Sequence, residues 1–454
     1  MEFMEEQIMS YQLVCGLETH AELATKSKMF CSCKNDPFGA PAPNTYTCPV
    51  CLGMPGALPV ANRQAIEWTI KLGLALNCKI NLFSKFDRKN YFYADLPKGY
   101  QISQYDIPFC YDGYLETSEG LVRIHRIHLE EDTAKLSHHE IDLDGDGKME
   151  KVSLVDFNRS SVPLVEIVTE ADIISPTQAK EYGQKLRALM RYLQIADCDM
   201  EKGGMRLEAN ISLRTEGAEG LPNYKVECKN INSFRFLEQA INFEMQRQAV
   251  MLDDGQTPVQ ETRGYNPETG KTFSQRSKED AEDYRYFPDP DLPPIEFTAE
   301  QIEKWRAQLP ELPAVKTARW QQKYQLKSDL TTRLVESRAQ ADFFESLFEA
   351  ATKAQIDLQK LVNSLVNKKI TYELSDEVAD VLARFQAANQ SDSVDEGLLD
   401  SVIERVIAAN ADAIEKYKSG KTAVLGFLLG QIMRELGKKV DPSLVRERLL
   451  AKID

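Results

Sequence analysis

Long hydrophobic runs are missing from this 454-residue chain. The apolar stretch near its C-terminus, 423–429, is seven residues long, against the roughly 20 that a membrane-spanning helix needs, so no such helix is expected. Residues 1–6, Met-Glu-Phe-Met-Glu-Glu, have neither the basic start nor the apolar core of a secretory signal, which predicts a cytoplasmic protein. Positive charge is also short: 55 Lys and Arg face 70 Asp and Glu, a net charge of −15, which argues against non-specific coating of nucleic acid or membranes. The deficit is uneven, because the segment 410–454 holds nine Lys and Arg and six Asp and Glu. Histidine is scarce, and all five copies precede residue 140. With 43% hydrophobic and 28% charged residues, disorder is not the default, and about 150 residues per domain suggests about three domains.

Up to Pro294 short β-type runs alternate with a few long helices. The runs are 11–17, 121–129, 151–157, 164–168 and 224–228. Asn62 can cap a helix that aligns Ile66, Ile70 and Leu74. Ser175-Pro176 is a cap followed by proline in the first helical position, and a third helix begins near Asn232 or Ser233 and stops at Gly255. The mixed order predicts an α+β domain over 1–294. Four prolines within 287–294 mark its end. Beyond them only helical patterns are needed, at 299–308, 315–324, 329–351, 376–388, 396–409, 421–436 and 442–451. These divide into two small all-α bundles, 295–409 and 410–454.

Nine cysteines are odd in number, and four fall within 21 residues as Cys31-Ser32-Cys33 and Cys48-Pro49-Val50-Cys51. In a reducing compartment that crowding suggests a metal more than disulfides. Two short pairs on tight turns supply four thiolates, a closed tetrahedral shell for structural zinc. Two other motifs fail. Gly264 to Thr272 resembles a phosphate loop, but five residues separate Gly264 from Gly270 where four are required. Asp142 to Gly147 imitates a calcium loop, yet Ser153 stands where a bidentate glutamate belongs. Both read as hairpin turns.

Chemistry concentrates where histidines meet acids. Glu18 and His20 are two apart, hence on one face of a strand. Acids and imidazoles also line 123–132, and Glu208 and Glu227 put carboxylates into further β-type runs. A sheet face carrying several glutamates can hold magnesium-bound phosphates without a phosphate loop; the plain alternative is a solvated face with routine ion pairs.

Ordered motifs in this region are specific to one family. Gly16-Leu17-Glu18-Thr19-His20, Cys48-Pro49-Val50-Cys51-Leu52-Gly53-Met54-Pro55-Gly56 and the run 85–93 are followed by 98–104, His128-Leu129-Glu130-Glu131-Asp132 and Asp283-Tyr284-Arg285-Tyr286-Phe287-Pro288. With the tail from Tyr417 to Met433, the chain resembles the B subunits of bacterial tRNA-dependent amidotransferases, which convert Glu-tRNA(Gln) and Asp-tRNA(Asn) to Gln-tRNA(Gln) and Asn-tRNA(Asn). The resemblance implies a mixed or antiparallel cradle similar to the glutamine synthetase catalytic fold. There ATP and Mg²⁺ would phosphorylate the side-chain carboxylate of the misacylated amino acid, and ammonia would displace phosphate. Glu18, His20 and Glu131 become expected magnesium ligands, with Glu208 and Glu227 completing the acidic face and Arg206 a phosphate clamp. Lys89, Lys98, Glu130 and Lys135 are expected along an ammonia tunnel. Lys418, Lys421, Arg434, Lys438 and Lys439 are expected to contact tRNA. The implied partners are an amidase A subunit and a small C subunit in a heterotrimer. The chain departs from the family pattern at Thr19, at Thr133-Ala134 and at Leu207-Glu208, and its 370–400 region is shorter than usual. A competing expectation is a zinc-stabilised tRNA-binding adaptor whose carboxylates are structural.

Overall fold

The computed structural model describes residues 11–143, 147–277, 283–389, 396–437 and 440–453. The chain forms two compact units, Met1–Arg319 with Val335–Arg338, and Trp320–Leu334 with Ala339–Asp454.

The strands of the first unit are β1 Tyr11–Glu22, β2 Lys79–Ile80, β3 Phe83–Ser84, β4 Asp87–Asn90, β5 Tyr100–Ser103, β6 Cys110–Thr117, β7 Gly120–Glu131 and β8 Lys135–Ile141. They continue as β9 Glu150–Asp156, β10 Pro163–Thr169, β11 Met205–Thr215, β12 Val226–Ile231, β13 Glu261–Asn266, β14 Lys271–Ser277, β15 Phe287–Pro288 and β16 Ile295–Glu296. Nine of them form one sheet in the order β14-β13-β12-β11-β1-β10-β7-β6-β2. Neighbours run antiparallel except β12 and β13, which are parallel. The mixed α+β expectation therefore holds, with antiparallel pairing dominant. Strand β4 pairs with β5 and β15, and β8 with β9 forms a separate hairpin.

Side-chain alternation makes one face of the sheet dry. Leu13, Cys15, Leu17 and Ala21 of β1 are buried with Ile127 and Leu129 of β7, Val165 and Ile167 of β10, and Leu207, Ala209 and Ile211 of β11. Helices α1 Arg63–Ala75, α2 Pro176–Tyr192 and α3 Phe234–Asp253 cover this face, contributing Ile66, Ile70, Tyr182, Leu186, Leu237 and Ile241 to the same core. Each large apolar side chain so buried contributes roughly 1.5–3 kcal/mol. The expected caps are in place: Asn62 accepts from the N–H of Gln64 and Ala65, Ser175 from Gln178, and Ser233 from Phe236. Gly73 lets α1 sit close, since a Cβ there would lie 2.3 Å from Sγ of Cys110.

The phosphate-loop lookalike is the β13–β14 turn, where the Asn266 side chain accepts from the N–H of Glu268 and Thr269. Likewise 142–147 joins β8 to β9, though 144–146 lie outside the described residues. The expectation that no strand follows residue 294 is corrected by β16, which pairs with β3. Helix α4 Ala299–Ala307 also belongs to this unit, with Ile302 and Trp305 packed on its core.

The remaining helices are α5 Pro313–Tyr324, α6 Ser328–Arg333, α7 Arg338–Lys353, α8 Leu358–Val366 and α9 Val378–Asn389. They are followed by α10 Glu396–Ala409, α11 Ala411–Lys418, α12 Val424–Leu436 and α13 Pro442–Ile453. The single helix expected over 329–351 is two, because 334–337 leave helical geometry and Ser337 stands just before α7, a position where serine favours a helix start. In the second unit Trp320 packs edge-on against Phe348. A separate core joins Leu399, Val402 and Val406 of α10 to Leu428 and Ile432 of α12 and Val445 and Leu449 of α13. No helix among the described residues is long and apolar enough to cross a membrane.

Candidate functional site

The face of the sheet opposite the three helices is polar, and strand register decides what meets there. His20 is paired with Glu166 of β10 on one side and Arg206 of β11 on the other. Glu166 in turn faces His128 of β7. One step along, Glu18 faces Glu208, and Asn210 faces Glu227 of β12. Directly paired residues share a face, so these rows gather acids and two imidazoles from five adjacent strands, β12, β11, β1, β10 and β7.

The first cluster is His20, Glu130 and Glu166, whose potential ligand atoms lie within 4.8 Å of one another. Oε2 of Glu166 is 3.2 Å from Nε2 of both His20 and His128. Glu130 stands 3.9 Å and 3.6 Å from the same two nitrogens and accepts the Ser103 hydroxyl at 3.0 Å. Burial alone would depress the imidazoles, but Glu166 and Glu130 outweigh it: His20 is raised and His128 is pushed up to about 9. Burial works against the Glu166 carboxylate too, yet the imidazoles hold it well below the usual carboxylate range. Nδ1 of both histidines is buried without a hydrogen-bond partner.

The second cluster is Glu18, Glu208 and Glu227, again within 4.8 Å. Asn210 donates to Glu18 at 2.8 Å, and the Thr262 hydroxyl of β13 donates to Glu227 at 2.8 Å. The Lys229 ammonium lies 3.0 Å from Glu208 and 3.4 Å from Glu227. Burial, then the charges of Glu166, Glu208 and Glu227, raise the Glu18 carboxyl. Such a set of converging carboxylates suits a hard divalent cation.

The structure thus separates the expected ligands. Glu18 and His20 fall into different clusters, and Glu131 joins neither: its Oε1 is held by the Lys98 ammonium at 2.7 Å and the N–H of Ile102 at 3.0 Å. Arg206 pairs with buried Asp132 at 3.0 Å, and Arg159 donates to the Thr133 and Ala134 carbonyls beside it. Lys89 sits 4.8 Å from the Tyr284 ring; burial opposes its charge, but Glu130 raises its pKa. Lys135 is exposed at the start of β8, opposite Asp156. Glu166, Asn210 and Thr262 were not expected site residues. A lone glutamate inside Leu-Val-Glu-Ile-Val was the available signal for Glu166.

The four thiols of Cys31, Cys33, Cys48 and Cys51 lie within 4.8 Å of one another and could hold one metal ion. The N–H of Cys48 reaches Sγ of Cys51 at 3.1 Å. A hydrogen bond from Cys31 lowers Cys51 to about 5 against the effect of burial, with the ammonium of fully buried Lys28 assisting. This loop is fastened to the base of the β8–β9 hairpin: Asn44 bonds Asp156, Val155 and Phe157, and the Ser160 hydroxyl donates to the Cys51 carbonyl. The other five cysteines are buried and free.

In the second unit Lys418, Lys421 and Arg434 are exposed, while Lys438 and Lys439 lie outside the described residues. Arg448 and Lys452 are paired with Glu396, Asp400 and Glu404 of α10.

The GatB/GatE catalytic domain matches residues 13–303, and the GatB domain matches residues 350–453. A relative from Thermomicrobium roseum is 44% identical, covering 97% of this chain and 98% of its own length. One from Dehalococcoides mccartyi is 42% identical over the same shares, and one from Thermodesulfovibrio yellowstonii is 51% identical over 74% of this chain and 69% of its own. Each of the three is called the B subunit of an aspartyl/glutamyl-tRNA(Asn/Gln) amidotransferase. The chain belongs to this family, the B subunits of the tRNA-dependent amidotransferases.

Proposed function

We propose that this chain carries the activating and amidating site for Glu-tRNA(Gln), Asp-tRNA(Asn) or both. The γ-phosphoryl group of ATP passes to the side-chain carboxylate of the misacylated residue, and ammonia then displaces phosphate to leave the amide. The observation that carries this reading is the pair of acid clusters, one buried and one half-buried, at the middle of the polar sheet face, set between Lys229 and the Asp132–Arg206 pair. Phosphoryl transfer is mostly positioning and charge neutralisation, and these residues supply both. When bound, Mg²⁺ neutralises phosphate oxygens; Glu18, Glu208 and Glu227 would hold one ion, and His20, Glu130 and Glu166 offer a second position. Arg206, fixed by Asp132, presents its remaining N–H groups to phosphate. Buried Lys89 beside Glu130, and Lys98 on Glu131, form a polar route along which ammonia from a glutaminase A subunit would arrive, in a complex completed by a C subunit; exposed Lys135 would stand at its outer end. A cradle similar to the glutamine synthetase catalytic fold fits this chemistry. Cys31, Cys33, Cys48 and Cys51 would hold zinc with no vacant position, a structural role. Lys418, Lys421, Arg434, Lys438 and Lys439 would meet the tRNA backbone. The test is reconstitution with the A and C subunits and assay of each misacylated tRNA. His20→Ala is expected to abolish tRNA-dependent ATP cleavage and amidation while glutaminase turnover persists; near-normal amidation would remove His20 from the reaction.

A further inference from the structure

Lys229 lies two residues beyond Glu227 on β12 and therefore on the same face of the sheet. It is the ammonium that the acid trio holds, bridging Glu208 at 3.0 Å and Glu227 at 3.4 Å. Its side chain is 38% exposed, so the residue stands between the cluster and solvent while its ammonium rests on the two carboxylates. Glu18 takes the Asn210 amide instead, and Glu227 is further steadied by Thr262. Two of the three carboxylates that lie within 4.8 Å of one another therefore share one monovalent cation, and with Glu18 beside them the acids outnumber it. A divalent ion asks for the same oxygens, and two cations cannot share them without strong repulsion.

We propose that Lys229 is a resident counter-ion: its ammonium occupies the Glu208–Glu227 pair until a divalent cation takes those carboxylates, and then turns to the phosphate oxygens the cation has brought. This rests on the phosphoryl-transfer reading above. A flexible four-carbon stem with three rotatable donors permits the turn. The released charge stays beside the site, where the incoming anionic groups are. The exchange keeps a cation on the Glu208–Glu227 pair whether or not a divalent ion is bound, and it makes metal and nucleotide entry mutually supportive.

The experiment is titration of Mn²⁺ onto the full chain without nucleotide, reading free Mn²⁺ by electron paramagnetic resonance. Glu208→Gln identifies the class of bound ion that belongs to this cluster. In Lys229→Met that class is expected to bind about tenfold more tightly, because the competing charge is gone, whereas Lys229→Arg stays near wild type. ATP cleavage by the reconstituted Lys229→Met complex is expected to fall at the same time. Tighter metal with slower chemistry is a split that a merely damaged site would not give, since damage weakens both. Lys229→Gln, which keeps a polar end, must behave as Lys229→Met does. Equal or weaker Mn²⁺ binding in both variants overturns the proposal, as does ATP cleavage at the wild-type rate. A wild-type complex that cleaves no ATP with charged tRNA would count against the reaction itself, while the Mn²⁺ comparison still decides the role of Lys229.

Discussion

His20 and His128 meet on one oxygen: Oε2 of Glu166 lies 3.2 Å from Nε2 of each imidazole. Three neighbouring strands contribute these residues, so the contact records the pairing of β1, β10 and β7 more than any local motif. A carboxylate shared in this way sets the orientation of both rings. Glu166→Gln removes one of the three groups that would hold a divalent ion at His20 as well as the anchor of both rings, and is expected to lower affinity there by at least about 10–100-fold, the range for loss of an orienting group alone. Mn²⁺ titration of the variant checks this, and wild-type affinity would refute it.

The same contact makes stability depend on pH. Both imidazoles are raised above their ordinary 6.5, His128 to about 9, so their contribution is complete below pH 6.5 and is lost as pH rises through the raised values, about 9 for His128. Glu166 and Glu130 are held below the ordinary 4.5, so theirs is present above that pH and lost on acidification. Without added divalent ion the melting temperature should fall between pH 6.5 and 9, and Glu166→Gln should flatten that slope. An unchanged slope would count against the shared contact.

Zinc content and stability should fall together in Cys48→Ala, by roughly 2–5 kcal/mol if the loss resembles that of other covalent staples in small folds. Elemental analysis and thermal melts of protein purified without chelator provide the check. Normal stability with no zinc in the wild-type chain would eliminate the structural role.

Thr262→Val should loosen Glu227 and weaken metal binding at the acid trio about tenfold, with Thr262→Ser restoring it. Metal titration distinguishes this from general damage, because Mn²⁺ binding at His20 should stay unchanged.

For tRNA, the informative variants are charge reversals at Lys418, Lys421 and Arg434. Removal of 410–454 would cut through the core that α10 shares with α12 and α13, unfolding what it aims to test. The triple reversal should weaken tRNA binding and flatten its dependence on salt, since each lost phosphate contact removes about one unit of slope. Unchanged affinity and slope would move recognition elsewhere.

Local signals were readable and distant ones were not. The cysteine pairs, the caps at Asn62, Ser175 and Ser233, and the alternation that put Glu18 beside His20 all act within a few residues. Glu166 was hidden because its strand reads as continuous apolar sequence, and its partners lie 146 and 38 positions away at His20 and His128. Thr262 reaches Glu227 only through the parallel pairing of β12 with β13, which no short pattern encodes. Helix α8 was overlooked although Asp357 caps it by accepting the N–H of Lys360, because nine residues give little periodicity to read.

Register in β1 carries one more implication, for how this gene can change in length. Glu18, Thr19 and His20 alternate between a polar face and a sealed interior while paired on both flanks, and Leu17 continues the interior set opposite Ala209. One codon inserted before Leu17 would turn Glu18 and His20 into the interior and expose the apolar set, a change that no single substitution could undo. The β8–β9 hairpin, outside the large sheet and exposed along most of its length, has no such constraint. Insertions and deletions compatible with a working protein should therefore gather at its tip and be absent from β1.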